Sequence, residues 1–166
     1  MLKLLISIFL LFLSSSTSLA FERPNFLTVS HPVRGPESWP SIKQSPLDLP
    51  DFQYHEATKS GTPVTWLLRY DALSDASISA YFQKVDTQNP THEIGAFLEI
   101  TPLLAKAAGV EYPQGISIFN ANRVFLSGYS PSDRLKLIDT YMTLFQSKFN
   151  HHPTAKKLWS CLLLVK

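Results

Sequence analysis

The stretch Val64-Thr65-Trp66-Leu67-Leu68-Arg69-Tyr70-Asp71 decides how this chain is read. Its first five residues are apolar or β-prone, with no polar residue on every second position. That is the pattern of a strand covered on both faces, as in a parallel sheet. At Arg69-Tyr70-Asp71 the polarity changes abruptly, so the strand is expected to end there. Ser74 is placed to cap a helix in which Ile78, Tyr81, Phe82 and Val85 recur on one apolar face. Asn89-Pro90 breaks that pattern, and residues 93–100 form the next apolar run, a second buried strand.

Working outward, Thr101-Pro102 predicts a capped helix with proline at its first position, where the missing N–H costs nothing, and Gly109 closes it. Residues 116–119 and 124–126 are weaker apolar segments. Ser130-Pro131-Ser132-Asp133 opens the last strong helix. Its expected buried stripe is Leu135, Ile138, Met142, Phe145 and Phe149, widened by Leu137, Tyr141 and Leu144. Upstream, residues 26–30 read as a first strand ended by His31-Pro32, followed by a loop through Arg34-Gly35-Pro36. Residues 52–58 predict a short helix stopped at Gly61. Strands alternating with amphipathic helices predict an α/β fold whose strands pair in parallel through right-handed crossovers.

The chain has 166 residues, enough for one domain. Hydrophobic residues make up 45% and charged residues 17%, which argues against a disordered chain. The net charge of +2 carries no basic stripe, so nucleic acid is not an expected partner. The single cysteine, Cys161, excludes a disulfide framework.

The first 20 residues, MLKLLISIFLLFLSSSTSLA, have a basic start at Lys3, an apolar run over 4–13 and small residues at Ser18 and Ala20. They are expected to be a secretory signal peptide, cleaved after Ala20. No later segment reaches membrane-spanning length, so the mature chain is expected to be secreted or periplasmic with no membrane span.

Gly61-Thr62-Pro63-Val64-Thr65-Trp66 and, further on, His92-Glu93-Ile94-Gly95 resemble two phrases of the polysaccharide deacetylase (NodB-homology) superfamily, over residues 26–154. The resemblance implies a deacetylase-like (β/α) barrel, here partial because the chain is short for a closed one. A truncated or frame-shifted gene would account for the length and for the atypical tail at 155–166. The resemblance also implies a carbohydrate substrate and hydrolysis of acetyl or glycosidic bonds. The family's divalent metal is held by one aspartate and two histidines. In this chain Ser30-His31-Pro32 stands where the aspartates belong, and Phe97 and the neighbourhood of Thr101 stand where the histidines belong. The usual metal ligands are therefore absent.

The residues themselves place polar groups where strands end. Asp71 and Glu99 are a candidate catalytic pair, able to divide acid and base roles if their surroundings separate their pKa values. His31, Arg34, Arg69 and Tyr70 are candidate substrate-binding residues. The plainer readings are that Asp71 caps a turn, that Glu99 pairs with Arg34 or Arg69, that His31 is a loop residue and that Trp66 is core. No phosphate loop, G-x-S-x-G elbow or H-E-x-x-H helix is present. A non-catalytic carbohydrate-binding or surface protein, and an inactive fragment, are the alternatives to an enzyme.

Overall fold

The computed structural model describes residues 29–38, 45–113, 121–153 and 156–158. The proposed signal peptide, most of the atypical tail and the 116–119 segment lie outside the described residues.

The strands are β1 (Val29–Val33), β2 (Val64–Leu68), β3 (Glu93–Leu98) and the short β4 (Lys156–Leu158). They form one sheet in the order β1-β2-β3-β4, and every neighbouring pair is parallel. The register sets Val33 against Leu68 and Leu68 against Ala96. The carboxyl ends of the three longer strands therefore open on one edge.

Between the strands run α1 (Asp48–Ser60), α2 (Tyr70–Ser74), α3 (Ala76–Gln88), α4 (Pro102–Ala107), α5 (Ala121–Val124) and α6 (Pro131–Phe149). Two single turns of 3-10 helix, Pro36–Ser38 and Leu126–Gly128, complete the described elements. The fold is mixed α/β with a parallel sheet, as the alternating pattern predicts.

The core lies on one face of the sheet. Val64, Trp66, Leu68, Ile94, Ala96 and Leu98 meet Ile78, Phe82 and Val85 of α3 and Leu137, Tyr141, Phe145 and Phe149 of α6. The α3 sequence is rich in serine, threonine and β-branched residues, weak helix formers on their own. Its stability comes from docking, because each large apolar side chain taken fully out of water contributes about 1.5–3 kcal/mol. Leu67 and Phe97, on the alternate positions, project to the other face and are also buried.

Several local expectations are corrected. The first strand does not stop at His31-Pro32 but runs through both. The Val33 carbonyl accepts from the Arg69 N–H, so by alternation Pro32 turns its missing donor to the open side of an edge strand, where none is needed. The strand β3 ends at Leu98 rather than residue 100, and α1 is longer than 52–58. Gly61 stops α1 as expected, at a φ of 66° in the left-handed region.

Ser74 is not the cap of α3. It closes α2, donating to the Tyr70 carbonyl at 2.8 Å, and Asp75 takes the cap by accepting from the N–H groups of Ser77 and Ile78. In α6 the buried stripe is Leu137, Tyr141, Phe145 and Phe149, a strict four-residue spacing, and Leu135 is 63% exposed. The helix docks on the Leu137 and Tyr141 side of the expected apolar face, where the Tyr141 hydroxyl donates to the Leu68 carbonyl. The caps at Thr101 and Ser130 form as read, each side-chain oxygen accepting from a backbone N–H three residues on.

Candidate functional site

Four of the six candidate residues converge at the carboxyl edge of the sheet. Arg34 follows β1, Arg69 follows β2, Asp71 lies in the first turn of α2 and Glu99 follows β3. Arg69 is the centre. Its Nε donates to Asp71 Oδ1 at 2.7 Å and its Nη2 to Asp71 Oδ2 at 2.6 Å, a two-pronged pair. Its Nη1 donates to Glu99 Oε1 at 2.8 Å, and Nη2 also reaches the Ser38 hydroxyl at 2.6 Å. Arg34 completes the network with Nε and Nη2 on Glu99 Oε2, at 3.2 and 2.9 Å. Both carboxylates thus share one guanidinium.

Burial differs across the network. The side chains of Arg69 and Asp71 are 4% and 1% exposed, whereas Arg34 and Glu99 keep 36% and 16%. Burial opposes the Arg69 charge, but the hydrogen bonds and charges of Asp71 and Glu99 outweigh it and raise the Arg69 pKa. Asp71 also accepts from the backbone N–H groups of Ala72 at 3.0 Å and Glu37 at 3.1 Å. Each of its oxygens therefore takes two donors. Arg34 lies with its guanidinium carbon 5.3 Å from the centre of the Phe97 ring, a cation–π contact on the far face of the sheet.

The chain reaches this geometry through Gly35. A Cβ there would stand 2.5 Å from the Asp71 carbonyl carbon and from the Ala72 nitrogen. Only glycine lets the end of β1 pass so close to α2.

His31 and Tyr70 belong to other surroundings. The His31 ring sits within β1, edge-on to Trp66 with centroids 5.4 Å apart, and burial lowers its pKa. Tyr70 is 9% exposed and packs in the core, its ring 6.3 Å from that of Tyr141. Burial raises its hydroxyl pKa, partly offset by the neighbouring Ser74 side chain. Trp66 is 1% exposed, a core residue.

Sequence reasoning did not single out Ser38 and Glu37. Their signal is the turn Arg34-Gly35-Pro36-Glu37-Ser38 directly after a strand, which brings backbone donors and a hydroxyl to the edge. Glu37 Oε1 further accepts from the Leu103 N–H at 3.0 Å, tying this turn to α4.

A second feature lies at the other end of β1. A groove of about 410 Å³ opens between β1 and α1, with Val29, His31, Val64 and Trp66 on the sheet side and Gln53 and Glu56 on the helix side. None of its lining residues carries a fixed positive charge.

The residues at which the resemblance would place metal ligands do not fit a divalent ion. Phe97 is buried without a ligand atom, and the Thr101 hydroxyl oxygen caps α4. Among the described residues no three His, Cys, Asp or Glu side chains are grouped to hold a metal, and no helix is long and apolar enough to cross a membrane. No family model, curated protein or solved structure matches the chain.

Proposed function

We propose that the chain is an exported, deacetylase-like protein on a partial (β/α) barrel that binds carbohydrate at the carboxyl edge of its strands without cleaving it. The barrel, the family and export rest on the residues that carry the resemblance and on the signal-like start at 1–20. The observation that favours binding over catalysis is the full occupancy of Asp71. A general acid or base must exchange a proton with substrate, and this carboxylate already takes four donors and is 1% exposed. The partly exposed Arg34 and Glu99 are the groups left to meet sugar hydroxyls.

One observation favours a second reading, hydrolysis with Glu99 as the working carboxylate. Glu99 is the more exposed carboxylate of the pair and stands at the end of β3, where substrates reach parallel sheets. The test exposes the full chain to acetylated and plain glycans, with and without divalent metals, and reads binding by calorimetry and product by acetate and reducing-end release. Saturable binding without product, weakened in Glu99→Gln, supports the first reading. Product formation lost in Glu99→Gln establishes the second, and absence of both binding and product overturns both.

A further inference from the structure

The groove between β1 and α1 is separate from the strand-end network and stands on its own lining. Two of its residues carry buried polar atoms that meet no protein partner: Nε1 of Trp66 and Oε1 of Gln53. The first is a donor only and the second an acceptor only. Buried polar atoms without partners are rare in native structures and call for a specific cause. Two other buried polar atoms without a geometric hydrogen bond are the Tyr81 hydroxyl, whose residue neighbours Asp51, and His92 Nδ1, whose residue neighbours the Val64 backbone. Rings link these residues in one cluster, Tyr54 to His92 at 5.1 Å and Trp66 to His92 at 6.2 Å. The unmet polar atoms among the described residues thus gather around α1 and its seat.

We propose that this groove binds a small, flat, neutral ring bearing a lactam edge, whose carbonyl accepts from Trp66 Nε1 and whose N–H donates to Gln53 Oε1. Apolar walls at Val29, Ala57 and Val64 suit a flat ring, and Phe52, 64% exposed, stands at the mouth to cover it. Glu56 at the groove disfavours an anion, and burial holds His31 toward its neutral form. An edge with one acceptor and one donor satisfies both orphaned atoms together, which a purely apolar guest cannot do. Both atoms lie beneath the groove surface, so binding requires lining side chains, Gln53 among them, to move aside. Gln53 is only half-buried and has the torsional freedom to do so.

The test uses the full chain labelled with nitrogen-15, following the Trp66 indole N–H resonance, assigned by its loss in Trp66→Phe. Titration with 1-methyluracil is expected to move that resonance to saturation. The same titration with 1,3-dimethyluracil, which cannot donate to Gln53, is expected to be weaker by about tenfold or more, one hydrogen bond's worth. The anionic orotate should bind more weakly still. Gln53→Leu should remove the preference for the N–H compound. A Trp66 resonance unmoved by 1-methyluracil up to its solubility overturns the proposal. So does equal binding of the dimethyl compound, or a response to cellobiose alone. The paired ligands keep the comparison intact even if the Gln53 variant does not fold. The outcome is independent of the strand-end reading, whose glycan titrations report on Glu99.

Discussion

Arg69 and Asp71 stand two residues apart and meet edge to edge, guanidinium against carboxylate, at 2.7 and 2.6 Å with almost no exposure. The short helix α2 makes this possible, because it turns the chain back immediately after β2. The pair then fastens β3 through Glu99 and the turn after β1 through Ser38. Removing one member strands the other as a buried charge. Arg69→Ala is therefore expected to cost about 3–5 kcal/mol, as breaking buried pairs does. Arg34→Ala, on the exposed side of the same network, is expected to cost about 1 kcal/mol or less. Urea unfolding of the two variants checks the ranking, and equal losses would show that burial does not set the energetics here.

Gly35→Ala should be more damaging than its size suggests. The added methyl would press on the Asp71 and Ala72 backbone at 2.5 Å, and backbone cannot rotate away. Overpacking of this kind costs about 1–3 kcal/mol. A thermal midpoint unchanged from the parent would mean that β1 and α2 are not held this close.

Asp75 caps α3, and its pKa is lowered chiefly by the Ser77 side-chain hydrogen bond, then by the Ile78 backbone N–H. A carboxyl with a depressed folded pKa stabilises above its unfolded value, and the gain is lost as pH falls through the folded value. At about pH 7, Asp75→Ala is expected to cost about 1 kcal/mol. Unfolding curves of parent and variant should draw together toward acid. A constant gap across that range would assign the cost to something other than the ionised cap.

His151 joins the end of α6 to α3. Its pKa is raised, first by the hydrogen bond with the His152 carbonyl and then by Asp86, 3.1 Å from Nε2. The sign is opposite to that of Asp75. The imidazolium stabilises fully below the unfolded histidine value and the gain is lost as pH rises through the folded one. In Asp86→Asn, the His151 titration followed by NMR should move down toward the ordinary value of about 6.5. The stability difference between parent and variant should be larger near pH 5.5 than near pH 8.5, roughly either side of that titration. An unmoved titration would remove Asp86 from the account.

Much of the fold can be read locally. The unbroken apolar run from Val64 to Leu68 marks a strand covered on both faces, Thr101-Pro102 and Ser130-Pro131 mark helix starts, and Gly61 and Gly109 mark helix ends. Each signal depends on a residue's own backbone preference or on groups within a turn of it. The face of α6 was not legible in this way. Its apolar residues cover about half of the circumference, and packing against distant elements, with Tyr141 donating to the Leu68 carbonyl 73 residues away, centres the buried stripe within that arc. Ser74 and Asp75 are both good caps, and the preceding helix α2 occupies the first of them, which leaves the cap of α3 to Asp75.

The site divides along the same line. That Arg34, Arg69, Asp71 and Glu99 follow or close upon apolar strands is written in the order of the residues, and parallel strands must deliver such residues to one edge. Tertiary structure alone decided which of them touch. Arg34 and Glu99 are separated by 65 residues and Arg69 and Glu99 by 30, so their pairing depends on the register of three strands. It also decided that His31, expected just past the end of the first strand, lies within it and packs on Trp66 beside the groove instead of joining the network. The strand runs to Val33, past its expected end at residue 30, so His31 is a strand residue, and the register that sets it against Trp66 turns it to the same face of the sheet.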